Sequence, residues 1–175
     1  SVHPYVLINY QGRPRDVMTL AHELGHGVHQ VLAGPQGALM SATPLTLAET
    51  ASVFGEMLTF RSLLDRTADK GERKAILPQK VEDMINTVVR QIAFYQFERK
   101  VHAERRNGEL TSDRICELWL SVQAESLGPS VRFGDGYETF WAYIPHFIHS
   151  PFYVYAYAFG DCLVNSLYGV YQNAP

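Results

Sequence analysis

The segment His22-Glu23-Leu24-Gly25-His26 constrains this chain more than any other feature. It lies inside a stretch where Val17, Leu20, Ala21, Leu24, Val28, Val31 and Leu32 recur at the spacing of an amphipathic helix. Pro14 suits the first turn, Asp16 complements the positive dipole end and Gly34-Pro35 stops the run, which predicts a helix over 14–33. On a helix, residues i and i+4 stand about 40° apart. His22 and His26 therefore present two imidazole nitrogens to one point, as a tetrahedral Zn2+ site requires. Glu23 sits beside the metal and off it, placed to take a proton from a metal-activated water and pass it to a leaving amine. Seven His and eleven Glu in random order generate this pattern roughly 0.02 times in a chain of this length, so coincidence is a poor account.

Two His leave a catalytic zinc one protein ligand short. His29 follows His26 by three residues and points partly away, which suits a core or supporting histidine better than a ligand. Glu49 is the stronger candidate. It is a carboxylate on an otherwise apolar turn, beyond a loop long enough to fold a second helix (about 45–67) back against the first. The competing reading of Glu49 is a surface carboxylate near a helix N-terminus. Glu56, seven residues further on nearly the same face, is a candidate to accept a hydrogen bond from a ligand His and set its tautomer.

Around these residues the chain reads as one short strand followed by helices. The apolar run at 5–10 ends at Gln11-Gly12 and predicts a strand closed by a turn, offering an edge for an extended peptide. A long helix is expected over about 72–107 and another over 112–127, opened by the Thr111-Ser112-Asp113 cap. Between Glu138 and Pro175 the one charged residue is Asp161. Phe140 to Gly160 has the length of a membrane span, but its prolines, histidines, Trp and Tyr argue for a helix buried within a larger soluble protein.

Composition narrows the function. Apolar residues make up 46% and charged ones 19%, enough for a packed core, and the length fits one domain covering 1–175. Fifteen Lys+Arg against eighteen Asp+Glu are scattered along the chain, so a nucleic-acid partner is not expected. Cys116 and Cys162 show no metal-binding spacing and read as two buried, reduced thiols of a cytoplasmic protein. The start at Ser1-Val2-His3-Pro4 and the uncharged C-terminal stretch suggest a piece of a longer chain.

Several segments together resemble the thimet oligopeptidase and oligoendopeptidase F group of zinc metallopeptidases, specifically its oligoendopeptidase F branch. They are the run at 5–10 with Arg15-Asp16-Val17 and the His22–His26 motif, Glu49-Thr50-Ala51-Ser52-Val53-Phe54-Gly55-Glu56, Ile144-Pro145-His146-Phe147, and Phe152-Tyr153-Val154-Tyr155-Ala156-Tyr157. Val53 stands where thermolysin-like enzymes carry an Asp after the third ligand. The resemblance implies a mainly α, zincin-like helical core with a short N-terminal strand or hairpin. This core would be the C-terminal part of a larger two-lobed helical peptidase whose missing N-terminal lobe forms the other wall of a deep channel. It further implies one Zn2+ held by His22, His26 and Glu49, Glu23 as general base, and hydrolysis of internal bonds in short peptides. His146, rather than His149, and a tyrosine would stabilise the oxyanion; helical spacing selects Tyr153 and Tyr157 over Tyr155. The competing class is a zinc-stabilised binding module or an inactive piece. Such a module has no use for Glu23, and structural zinc sites usually carry four protein ligands.

Overall fold

Pro14, a capping carboxylate and a Gly-Pro stop delimit the first helix as the sequence predicts. The structure, a computed structural model that describes residues 3–173, has α1 at Pro14–Ala33. Asp16 does more than complement the dipole: its Oδ2 accepts from the backbone N–H of Arg13 at 2.8 Å and of Gln11 at 2.9 Å. These bonds fold the entering chain around Gly12, whose φ of +80° suits glycine. The helices that follow are α2 (Thr50–Arg66), α3 (Lys70–Met84), α4 (Gln91–Arg105), α5 (Ser112–Leu127), α6 (His146–His149) and α7 (Tyr155–Gln172).

The expected strand at 5–10 is not formed. Residues 4–11 carry no regular structure, and Tyr5, Leu7 and Tyr10 are exposed. A strand exists through backbone hydrogen bonds to a neighbouring strand, and the described residues contain none. An apolar, aromatic run supplies propensity but no partner edge. The architecture is all-helical among the described residues.

Three helix boundaries also differ. The second helix does not run from 45: a 3-10 turn at Leu45–Leu47 precedes α2, and Glu49 is its N-cap residue. The single helix expected over 72–107 is divided by a π-helical segment at Ile85–Arg90. Ile85, Thr87, Val88 and Val89 are β-branched there, which lowers the α-helical preference of this segment. The aromatic stretch from Phe140 to Gly160 is not one helix. It is a 3-10 segment at Tyr137–Tyr143, then α6, then α7. Pro145 and Pro151 lack the N–H a helix interior needs and disfavour helical conformation in the residue before them.

The chain packs as two compact units, one drawn from residues up to Met84 and from Phe159 onward, the other from Ile85 to Ala158. The second unit has an aromatic core in which Phe94, Phe97, Leu118 and Val122 surround Trp119, which is fully buried and donates its indole N–H to the Tyr137 carbonyl at 3.0 Å. The core of the first unit is small: Val53 and Met57 of α2 meet Val164 of α7. Most of the apolar stripe on α1 remains exposed, including Leu24, Val28, Val31 and Leu32. The thiols are free, but neither is fully buried: Cys116 is half-buried and Cys162 exposed. Cys162 lies with Phe159 and Ser166 on the outer face of α7, while Asp161 and Val164 turn inward. No described helix is long and apolar enough to cross a membrane.

Candidate metal centre

The site begins with two glycines. A Cβ on Gly25 of α1 would fall on the Ala51 carbonyl and within 2.7 Å of the Ser52 Cα; one on Gly55 of α2 would stand 2.6 Å from the Ala21 carbonyl oxygen. The helices therefore cross backbone to backbone. This close crossing brings the N-terminal end of α2 over the face of α1 that carries both imidazoles.

Glu49 Oε2 lies 3.3 Å from Nε2 of His22 and 3.3 Å from Nε2 of His26. The three ligand atoms lie within 4.8 Å of one another, and they form the one group among the described residues with metal-ligand geometry. Glu49 is buried, at 2% exposure. The Ser52 hydroxyl lies 3.0 Å from Glu49 Oε2 and 2.9 Å from the Glu49 carbonyl, tying the side chain to the first turn of α2. Gly160 of α7 covers the same residue: a Cβ there would meet the Glu49 carbonyl at 3.1 Å.

His22 is gripped from both sides. Its Nδ1 is 2.5 Å from Glu56 Oε1, a contact that holds the ring with Nε2 facing Glu49. Partial burial pulls the His22 pKa down, but the hydrogen bonds to Glu49 and Glu56 outweigh it and push the value up to about 10. The field that favours a proton on this ring equally favours a divalent cation beside it. Glu23 is half-buried on α1 and outside the ligand group, as is His29.

In the second unit, His146 Nε2 lies 3.2 Å from the Tyr157 hydroxyl oxygen. The His146 ring stacks on Tyr153 at 5.7 Å and 23°, and Tyr153 meets Tyr157 edge-on at 5.5 Å. Tyr155 turns away onto Tyr95, at 5.8 Å, and His149 is exposed. The expected grouping of 146, 153 and 157 is present for a different reason: Tyr153 precedes α7, and a turn, rather than one helical face, brings the rings together.

Residues 1–167 match the family described as Peptidase family M3. The chain belongs to that family. This M3 chain is 35% identical over 158 residues to the chromosomal oligoendopeptidase F of Lactococcus lactis subsp. cremoris, covering 89% of this chain and 26% of that protein. It is 33% identical over 174 residues to an oligoendopeptidase F homolog of Borreliella burgdorferi, covering 97% of this chain and 29% of the relative. Its fold matches the crystal structure of oligoendopeptidase-F from Enterococcus faecium with a TM-score of 0.70 and 28% identity, over 91% of this chain and 29% of that one. The chain thus spans under a third of the length of these relatives.

The donor set of this M3 peptidase chain suits a divalent metal on its own chemistry. Two imidazole nitrogens and one carboxylate oxygen converge, the carboxylate is buried, and a second carboxylate contacts the His22 ring. Sequence reasoning missed the parts that bring the donors together: Gly25, Gly55, Ser52 and Gly160. One signal was available. A mid-helix glycine costs about 1 kcal/mol relative to alanine, so Gly25 and Gly55 each called for a packing reason.

Proposed function

We propose that this chain is the catalytic core of a zinc-dependent endopeptidase that hydrolyses internal bonds of short peptides, with residues 1–175 serving as one catalytic domain. The observation that carries this reading is Glu49 Oε2 at 3.3 Å from Nε2 of both His22 and His26. Two imidazoles and a carboxylate that converge on one point are a donor set for a divalent cation, and three protein ligands leave a fourth position for substrate chemistry. His22, His26 and Glu49 would hold the zinc, which when bound supplies Lewis-acid polarisation of water and of the scissile carbonyl.

The remaining steps belong to the chain's own groups. The Glu23 carboxylate accepts a proton from the attacking water and then donates it to the leaving nitrogen, so the amine departs neutral. Glu56 keeps the His22 ring in one orientation and tautomer. Hydrogen bonds from His146 and Tyr157, with Tyr153 beside them, stabilise the oxygen that gains charge as the carbonyl carbon becomes tetrahedral, at about 3 kcal/mol per well-placed donor. The partner is an N-terminal lobe of the same polypeptide, for which the greater length of the relatives leaves room; the exposed Leu24, Val28, Val31 and Leu32 offer it an apolar surface. Two free cysteines suit a cytoplasmic location.

Metal analysis with a quenched short-peptide assay on the full-length protein tests the reading. One Zn2+ per chain is expected, lost in Glu49→Gln. Glu23→Gln is expected to keep the zinc and lose about a thousandfold in kcat. Turnover by Glu23→Gln within about tenfold of wild type removes Glu23 as the general base.

A further inference from the structure

Phe152 is the one non-glycine residue with positive φ, +61°, among the described residues. It is the third residue of a turn closed by the Tyr153 N–H donating to the Ser150 carbonyl at 3.2 Å, with Pro151 second. Proline at the second position and positive φ at the third are the marks of a turn that normally carries glycine or asparagine where Phe152 stands. The strained residue therefore has to be held from outside. The turn joins α6, whose end is closed by the Ser150 N–H on the His146 carbonyl at 3.0 Å, to the start of α7, where Tyr157 lies. It thereby sets where Tyr157 meets His146.

One face of α4 does the holding. Tyr95, Glu98 and His102, at i, i+3 and i+7, share that face. Glu98 Oε1 accepts the Phe152 N–H at 2.8 Å, the His102 ring lies 4.6 Å from the Phe152 ring, and Tyr95 packs edge-on against Tyr155. Glu98 is 2% exposed, and its other oxygen is buried without a hydrogen-bond partner among the described residues. A carboxyl so placed is poorly used for stability, since a well-packed apolar residue would serve better. What it provides is an acceptor aimed at one backbone N–H.

We propose that Glu98 is a positioning residue: through the Phe152 N–H it holds the 150–153 turn in its left-handed conformation and so sets the hydrogen bond between His146 Nε2 and the Tyr157 hydroxyl. Its effect on turnover rests on the reading of that pair as oxyanion donors; its effect on the pair's geometry does not.

The test uses full-length protein with selectively labelled His and Tyr rings and reads the nuclear Overhauser contact between the rings of His146 and Tyr157, alongside kcat, KM and zinc content. Glu98→Gln, whose amide oxygen still accepts, is expected to keep the ring contact and kcat. Glu98→Leu removes the acceptor, and is expected to lose the contact and about a hundredfold in kcat, with KM and zinc content within about twofold of wild type. Glu98→Asp tests the same point independently of any folding defect in the Leu variant, because it keeps the carboxyl but is one methylene short of the Phe152 nitrogen. An intact ring contact in both Leu and Asp variants overturns the proposal, whatever kcat does. Loss of the contact with unchanged kcat upholds the positioning role and instead sinks the oxyanion role of the pair.

Discussion

A Cβ on Gly55 would stand 2.6 Å from the carbonyl oxygen of Ala21, so α2 lies against the backbone of α1 one residue before His22, the first histidine of the candidate metal centre. Gly55 also immediately precedes Glu56, the carboxylate that orients His22. Helix crossing and ligand geometry are therefore one feature: whatever separates the helices at Gly55 withdraws Glu49 and Glu56 from His22 together.

Gly55→Ala is expected to destabilise the protein by about 1–3 kcal/mol through overpacking, although alanine is the better helix former. Zinc affinity should fall in the same variant. Ala33→Gly, at the far end of α1, should weaken the helix without affecting zinc binding. Denaturant unfolding with and without zinc, beside a competitive chelator titration, checks this; zinc affinity unchanged in Gly55→Ala would separate the crossing from the site.

Glu56→Gln tests the orientation of His22. The substitution keeps the size of the side chain but removes the charge, and an expected loss of about 10- to 100-fold in zinc affinity follows the usual cost of disturbing a ligand's hydrogen-bond partner. Kinetics at saturating zinc should then recover most of the wild-type rate. A chelator titration that superimposes on wild type would show that Glu56 is merely adjacent.

His146→Ala and Tyr157→Phe are expected to lower kcat and kcat/KM together, by roughly a hundredfold each, with zinc content unchanged. If the cluster served packing alone, Tyr157→Phe would leave activity intact, because the ring that meets His146 and Tyr153 is retained. Steady-state kinetics and melting curves of the single and double variants separate the two outcomes.

Burial raises the Glu98 carboxyl pKa above its ordinary value of 4.5, against the lowering effect of the Phe152 N–H bond. A carboxyl with a raised folded pKa contributes stability that is fully present below the unfolded pKa and is lost as pH rises through the folded one. Glu98→Gln should remove that contribution to the slope. Unfolding free energies measured from pH 4 to pH 8 should therefore fall less with rising pH in the variant than in wild type. Parallel curves would contradict the assignment.

The spacing of the candidate ligands was legible in the sequence because it is local. The i, i+4 spacing of His22 and His26, and Glu23 between them, need only a helix, and Pro14, Asp16 and Gly34-Pro35 delimit that helix within the chain itself. Glu49 was legible for a similar reason, as a carboxylate that apolar neighbours make costly to bury. The tertiary structure decided what depends on partners distant in sequence. No apolar run becomes a strand without a second edge, so 5–10 stays irregular. A helix-long aromatic stretch divides where Pro145 and Pro151 remove N–H groups, and its turn holds a left-handed phenylalanine because Glu98, far back in the chain, accepts that residue's N–H. The 3.3 Å approach of Glu49 to two imidazoles likewise came from outside the motif, from helices that can touch only because Gly25 and Gly55 carry no side chain.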